Sequence, residues 1–294
     1  MRTMNIAAAI TTNLLDKIYV QMNSIKQNKS CQTMVDYYLF VECKSLCSLE
    51  DCAQYFKPLM SEDFRIHLDD AGKYAPRVVH KKWAWISYMR CLFPTIFPFT
   101  RLLLYLDSDV MCLRSGIEQL FDEPIDDYYV AAVSDPPVLY SSFGKDDARN
   151  TGNSDYFNSG VMLMNLDKLR KAGIAAELAK WCLEWDYSKL RYCWHDQTLC
   201  NYLMKDKVLL LPYKWNNQFL GSFDNSAKAY KRYLKEQGFD DPVESLGSTI
   251  LLHFCGWNKP WKPEAVATGP AHYPWVAEAQ RMWRDLTQQY GKKY

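Results

Sequence analysis

Residues 102–110 read LLLYLDSDV: an apolar run that ends in two aspartates, Asp107 and Asp109, separated by Ser108. The run 102–106 has the continuous apolar pattern of a buried strand. Two carboxylates at i and i+2 can reach one side of an extended segment. Left unpaired at the edge of a low-dielectric core, they would repel each other. A hard divalent cation relieves that repulsion, and carboxylates suit Mg²⁺ or Mn²⁺, ions that also bind substrate phosphates. The competing reading is a solvated loop in which Asp107 caps a following helix. This is the only Asp-x-Asp in the chain, and its place directly after the apolar run favours the metal.

A second polar cluster, HFCGWNKPW (253–261), also follows an apolar run. His253 offers an imidazole for a metal. Gly256 lets backbone approach a ligand closely. Lys259 supplies a point charge for phosphate oxygens, and Pro260 with Trp261 stiffens the turn. A histidine closing a strand also fits an ordinary core residue; His253, Gly256 and Lys259 at three-residue spacing favour a diphosphate site. Neither G-x-G-x-x-G nor a P-loop occurs in the chain, so a nucleotide would be held by metal and side chains rather than by a glycine-rich nest.

The elements that must position these groups alternate. MNIAAAI (4–10) and VDYYLFVEC (35–43) read as strands, with the spacing of Ile18, Met22 and Ile25 predicting a helix between them. SLEDCAQYFKPL predicts a helix with Ser48 as N-cap that stops at Pro58. Residues 78–92 predict a helix. RLLLYLD, YYVAAVSD and FNSGVMLMNL (157–166) are strands, LDKLRKAGIAAELAKWCLEW holds one or two helices, HDQTLCNYLMKD is a helix, and KVLLLPYKW and STILLHFCGW close the series. This alternation predicts a mostly parallel sheet covered on both faces. Ligands of such sheets bind beyond the carboxyl ends of the strands. The residues there are TTN (11–13), DSD (107–109), SD (134–135), FNSG (157–160) and HFCGWNKPW, joined by HDQ (195–197) from a helix start. Residues 214–248 read as a polar insertion. Trp275, Ala279, Met282 and Leu286 share one helical face of the C-terminal tail, which predicts docking on the parent domain.

The 294-residue chain is 48% hydrophobic and 23% charged, a composition that can bury a large core. Lys plus Arg number 35 against 34 Asp plus Glu, so the basic excess of a nucleic-acid-binding surface is missing. None of the ten cysteines forms Cys-x-x-Cys, which excludes a zinc ribbon and a thioredoxin motif. Their apolar settings predict free thiols in a reducing compartment. No signal-peptide pattern and no membrane-spanning run is present, so the expected location is the cytoplasm, with peripheral membrane contact through the tail as an addition.

In this order, YLDSDV, FNSGVMLMNL, HDQTLCNYL and HFCGWNKPW resemble the retaining glycosyltransferases of family 8, which include glycogenin and bacterial lipopolysaccharide α-galactosyltransferases. The resemblance spans residues 4 to 262. It implies an α/β GT-A fold over 1–262, a Rossmann-like, mostly parallel mixed sheet flanked by helices, with residues 263–294 as a helical tail packed on it and 214–248 on the acceptor side. It implies a hexosyltransferase with a UDP-sugar donor, glucose or galactose, and Mn²⁺, with Mg²⁺ as the alternative ion. Asp107, Asp109 and His253 would be the metal ligands. Ser108 would lie near the ribose, and Gly256 and Lys259 would hold the diphosphate. Arg90, in SYMRCLFP, would reach the donor, whose sugar Asp135, Asn158, Ser159, Asp196 and Gln197 would line. Ala9, Thr11 and Asn13 would sit by the base. The chain departs from the family here: where an aspartate usually contacts the uracil, Thr11 or Thr12 stands, able to make one hydrogen bond but uncharged.

The residue at the family's reaction centre is Gln197, a poor nucleophile, so front-face attack is favoured over double displacement. Asp196 would hold sugar hydroxyls, and it also suits a helix start, where an acid meets the dipole. The acceptor would be a carbohydrate, glycolipid or glycoprotein. The rival classes are a glycoside hydrolase, which needs two carboxylates facing each other about 5–10 Å apart, and a non-catalytic nucleotide-sugar or carbohydrate-binding protein of the same fold.

Overall fold

The computed structural model describes residues 2–43, 47–75, 85–140, 151–184, 196–218, 224–255, 259–261 and 274–292, with the side chains of 181–184, 224–227, 242 and 274–278 left aside. Strands β1 (Arg2–Thr11), β2 (Thr33–Glu42) and β3 (Phe64–Asp70) alternate with helices α1 (Leu15–Asn28) and α2 (Leu49–Phe56). After α3 (Met89–Ile96) come β4 (Leu102–Leu106), β5 (Val110–Cys112), β6 (Val130–Ser134), α4 (Pro136–Tyr140) and β7 (Phe157–Asn165). The remainder is α5 (Leu166–Lys171), α6 (Ile174–Glu184), α7 (Asp196–Met204), β8 (Val208–Leu210), β9 (Asn217–Gln218), α8 (Asp224–Glu236), α9 (Pro242–Ser245), β10 (Leu251–His253) and α10 (Pro274–Tyr290).

Seven strands form one sheet in the order β3-β2-β1-β4-β7-β6-β8. All run parallel except β7, which pairs antiparallel with both β4 and β6. The expected mostly parallel sheet is therefore mixed at its centre. A second sheet, β5-β10-β9, joins the segment after the Asp-x-Asp to the strand that carries His253.

Alternation along the strands builds two cores. On one face of the sheet Met4, Ile6, Ala8, Ile10, Leu104 and Leu106 pack with Ile18, Met22 and Ile25 of α1, the helical stripe read from the sequence. On the other face Ala7, Leu103 and Tyr105 pack with Met89 and Phe93 of α3. Ser48 caps α2, and its hydroxyl and the Asp51 carboxylate satisfy each other's backbone N–H groups in a capping box. The predicted helix over 78–92 begins outside the described residues; from Trp85 it is a 3₁₀ turn that continues into α3.

A third cluster docks α10: Ala279, Trp283, Leu286 and Tyr290 pack on Val20, Met111, Leu252 and Phe254. Ala279 and Leu286 are on the buried face as expected, Met282 is partly buried beside it, and the side chain of Trp275 lies outside the described residues. Among the described residues no helix is long and apolar enough to cross a membrane. The side chains of eight cysteines are described, and all eight are free.

Candidate active site

The Asp-x-Asp sits where β4 leaves the sheet. The Asp107 amide donates to the Gly160 carbonyl of β7 (2.8 Å), and the Val110 amide donates back to the Asp107 carbonyl (3.1 Å). The segment therefore turns directly into β5, which removes the reading of Asp107 as a helix cap. Gln21, fully buried on α1, clamps this turn: its amide nitrogen donates to the carbonyls of Asp107 (2.6 Å) and Val110 (2.7 Å), and its oxygen accepts from the Tyr37 hydroxyl. Gln21→Leu strands these partners. It is expected to lower stability by about 2–3 kcal/mol, the cost of leaving buried polar groups unsatisfied, measured as a shift in the urea midpoint.

Pairing of β5 with β10 places Val110 opposite His253. As a result His253 Nε2 lies 3.2 Å from Asp109 Oδ1 and 3.9 Å from Asp107 Oδ2. One ligand atom from each of the three residues falls within 4.8 Å of the others. Asp109 and His253 are buried, 6% and 3% exposed, so two carboxylates and an imidazole converge with little water to separate them. Burial alone would raise the Asp109 carboxyl, but Lys259 and His253 hold it well below the usual carboxylate range. Two oxygens and one imidazole nitrogen in one cluster are a donor set that fits Mn²⁺.

Lys259 pairs with Asp109 Oδ2 and donates to the Phe254 carbonyl (3.0 Å). Its ammonium also lies 6.0 Å from the ring centre of Trp261, which packs on Trp283 of α10. Gly256 lies outside the described residues.

Arg90, 4% exposed, is engaged from every side. It meets Asp107 Oδ1 (2.7 Å), Asp196 Oδ2 (3.1 Å), the Ser159 carbonyl (2.7 Å) and hydroxyl (2.9 Å), and the Ser87 carbonyl (2.9 Å), and its guanidinium lies 4.2 Å from the centre of the Tyr105 ring. The Tyr105 hydroxyl donates to the same Asp107 oxygen. Asp107 Oδ1 is thus held by the protein, and Oδ2 is the oxygen turned toward His253.

Burial pushes the Asp196 carboxyl up to about 6, against the pull of Arg90 and with the push of Asp107. A carboxyl raised in the folded state contributes stability that is present below its unfolded value and is lost as pH rises through the folded one. From pH 4 to 6, metal-free protein should lose about 2 kcal/mol through this group. Asp196→Asn should flatten that part of the profile; a slope unchanged between wild type and variant would refute the assignment.

Asp135 directly follows β6, and Asn158, Ser159 and Gly160 lie in β7. Asp135 Oδ2 accepts from Gln197 Nε2 (2.8 Å) and Asn158 Nδ2 (3.3 Å). Gln197 Oε1 accepts from the Ser159 amide (3.1 Å), and Asn158 Oδ1 from the Gly160 amide (3.0 Å). Burial raises the Asp135 carboxyl, opposed by its hydrogen bonds to Gln197, the Val138 amide and Asn158. At the end of β1, Ala9 is half-buried and the Thr11 hydroxyl donates to the Asn13 side chain. Ser108 sits half-exposed in the turn between the two aspartates.

Three residues that sequence reasoning missed complete the site. Gln21 is one. The second is Asn216, whose Oδ1 lies 3.1 Å from His253 Nδ1 and whose Nδ2 donates to Asn158 Oδ1 (3.0 Å). The third is Gly160, where an added Cβ would stand 2.2 Å from His253 Cε1 and 2.9 Å from Asp107 Oδ2. FNSG was singled out in the sequence, but nothing local marked Gly160 as facing the histidine.

A lipopolysaccharide 1,2-glucosyltransferase of Escherichia coli K12 is 25% identical over 96% of this chain and 79% of its own length. The lipopolysaccharide glucosyltransferase WaaO of the same strain is 26% identical over 72% of this chain and 60% of its own. Among solved structures, the galactosyltransferase LgtC in complex with donor and acceptor sugar analogues superposes with a TM-score of 0.68 at 20% identity, covering 99% of this chain and 98% of that one. The bifunctional glycosyltransferase WbbM gives 0.68 at 17% identity, covering 95% of this chain and 51% of that one. The fold is thus GT-A. With the profile of glycosyl transferase family 8 matching residues 5–265, the chain belongs to that family.

Proposed function

We propose that the protein is a retaining hexosyltransferase that moves glucose or galactose from a UDP-sugar to a carbohydrate, glycolipid or glycoprotein acceptor. The observation that carries this reading is the convergence of Asp107, Asp109 and His253 beside Lys259, next to the Asp196–Gln197 helix start that Arg90 ties to Asp107. Asp107, Asp109 and His253 would hold Mn²⁺, with Mg²⁺ as the alternative. When bound, the ion supplies positive charge to a diphosphate leaving group.

The chain's own residues do the rest. Lys259 adds a second positive charge where negative charge develops on departure. Asp196, held by Arg90 at 3.1 Å, accepts hydrogen bonds from sugar hydroxyls and fixes the ring. Gln197 turns its amide oxygen toward the anomeric carbon as it gains oxocarbenium character. Asp135 Oδ2 already accepts from two amides, so it serves as the anchor of Gln197 rather than as a nucleophile, and front-face attack is the mechanism these groups support. Ala9, Thr11, Asn13 and Ser108 would meet the nucleoside. The site requires no membrane-spanning element, and a cytoplasmic protein with peripheral membrane contact fits a glycolipid acceptor.

The test is UDP release from a panel of nucleotide-sugars, with Mn²⁺, Mg²⁺ or EDTA and no acceptor. Release from UDP-glucose or UDP-galactose that stops in EDTA supports the transferase. Saturable UDP-sugar binding without turnover under any condition, acceptors included, would instead establish the non-catalytic binder.

A further inference from the structure

We propose that Asn216 is a positioning residue that fixes which nitrogen of His253 carries the proton, leaving Nε2 bare for the metal, and that it ties this ligand through Asn158 to the Asp135–Gln197 pair. The proposal rests on the reading of Asp107, Asp109 and His253 as metal ligands.

The argument is one of hydrogen-bond polarity, and it starts at groups whose roles are not adjustable. The Gly160 backbone amide can only donate, and it points at Asn158 Oδ1 (3.0 Å). Asn158 therefore presents its NH₂ to Asp135 Oδ2 (3.3 Å), an acceptor when ionised. Two independent partners thus pin the Asn158 amide in the same orientation. Its oxygen also faces Asn216 at 3.0 Å, so the Asn216 atom there must be the NH₂. That leaves Asn216 Oδ1 against His253 Nδ1 at 3.1 Å, and an oxygen there requires Nδ1 to carry a hydrogen. In a neutral imidazole the remaining lone pair is then on Nε2, the nitrogen that faces Asp109 and Asp107. With Nδ1 committed to Asn216, Nε2 is the nitrogen left to face Asp109 and Asp107, so a cation held between the carboxylates meets Nε2 in place of the proton it shares with Asp109.

The backbone that carries Asn216 is held equally firmly. Residues 216–218 are buried to within 1% exposure. Asn217 donates to Ser245 (2.9 Å) and Thr249 (2.6 Å), and Gln218 donates to the Ser134 carbonyl (2.8 Å). Strand β9 pairs with β10 so that Gln218 stands opposite His253. Second partners of metal-bound histidines usually fix tautomer and ring orientation, and their loss costs metal affinity about 10- to 100-fold.

Two variants separate this role from mere packing. Asn216→Leu keeps the volume and removes both hydrogen-bonding ends. Asn216→Asp keeps the acceptor for His253 and removes the donor to Asn158. Two readouts apply: Mn²⁺ dissociation constants by electron paramagnetic resonance, and long-range ¹H–¹⁵N spectra of ¹⁵N-histidine-labelled, metal-free protein at pH 8, with His253 assigned by its loss in His253→Ala. In wild type, Nδ1 should be protonated. In Asn216→Leu Nδ1 should lose its proton, Nε2 keeping the one that Asp109 accepts, and Mn²⁺ affinity should fall about 10- to 100-fold, whereas Asn216→Asp should stay within about fivefold of wild type. A bare Nδ1 in wild type overturns the proposal, as does Mn²⁺ affinity unchanged in Asn216→Leu. A structural role alone would lower stability in both variants and leave the tautomer as it was. If wild type binds no Mn²⁺, the metal reading fails, but the spectra of wild type and Asn216→Leu still decide whether Asn216 sets the tautomer.

Discussion

Gly160→Ala should lower kcat/KM at least 100-fold while leaving the protein folded. The Cβ would stand 2.2 Å from His253 Cε1 and 2.9 Å from His253 Nδ1 and Asp107 Oδ2, whereas carbon atoms in contact prefer about 3.5–4.0 Å. His253 would have to move by more than about 1 Å, and a displacement of that size at a reacting site can cost about 100-fold. The ring has no free direction in which to yield. It is 3% exposed, with Nδ1 against Asn216 and Nε2 against Asp109. Moving it would take a ligand from the proposed metal site and strain the Asp107 carboxylate at the same time. The stability cost should be that of overpacking, about 1–3 kcal/mol, visible as a lower melting temperature with an unchanged circular dichroism spectrum. The variant should also bind Mn²⁺ more weakly. Wild-type kcat/KM in Gly160→Ala would show that His253 takes no part in the reaction.

Gln197→Ala should lower kcat by about 10- to 1,000-fold and leave the affinity for UDP within a few-fold, the pattern of an interaction made mainly in the transition state. The geometry explains the separation. Gln197 touches Asp135 and the Ser159 amide and makes no hydrogen bond to Asp107, Asp109 or Lys259, so the groups assigned to the diphosphate keep their places when it is removed. Lys259→Ala, in contrast, should weaken UDP binding and lower turnover together, because it also strips Asp109 of its ammonium partner.

Gln197→Glu is the sharper variant. Its carboxylate would face Asp135 Oδ2 across the 2.8 Å now bridged by an N–H donor. Two carboxylates that close cannot both ionise readily, so the pair should retain a proton and the residual activity should fall as pH rises. Front-face attack predicts a slow enzyme and no covalent adduct. A glycosyl-enzyme adduct seen by mass spectrometry would establish double displacement. Near wild-type kcat in Gln197→Ala would mean that the reaction centre is elsewhere.

The sequence by itself determined the parts whose signal is local. Apolar runs ending in polar residues marked the strands β1, β2, β4, β6, β7 and β10, and an alternation of strands with helical spacing such as Ile18, Met22 and Ile25 marked an α/β sheet. Because ligands gather at the carboxyl ends of such strands, the same pattern selected Asp107, Asp109 and His253, which the structure brings within 4.8 Å. It could not show that β7 runs against its neighbours, since a doubly buried apolar strand reads the same in either direction.

Tertiary structure alone decided which polar side chains support the site. Gln21 acts on carbonyls 86 and 89 residues away, and Asn216 bridges partners 37 and 58 residues away. An asparagine or glutamine has no periodicity and no charge, so a stretch like 216–218 looks like a surface loop until a neighbouring strand buries it. The family resemblance names Arg90 as a residue that would reach the donor, and only the structure adds that its guanidinium binds Asp107, Asp196 and Ser159. Gly160 shows the same division: its type is plain in the sequence, but the reason for it is the edge of an imidazole from another sheet, and only folding brings that imidazole there.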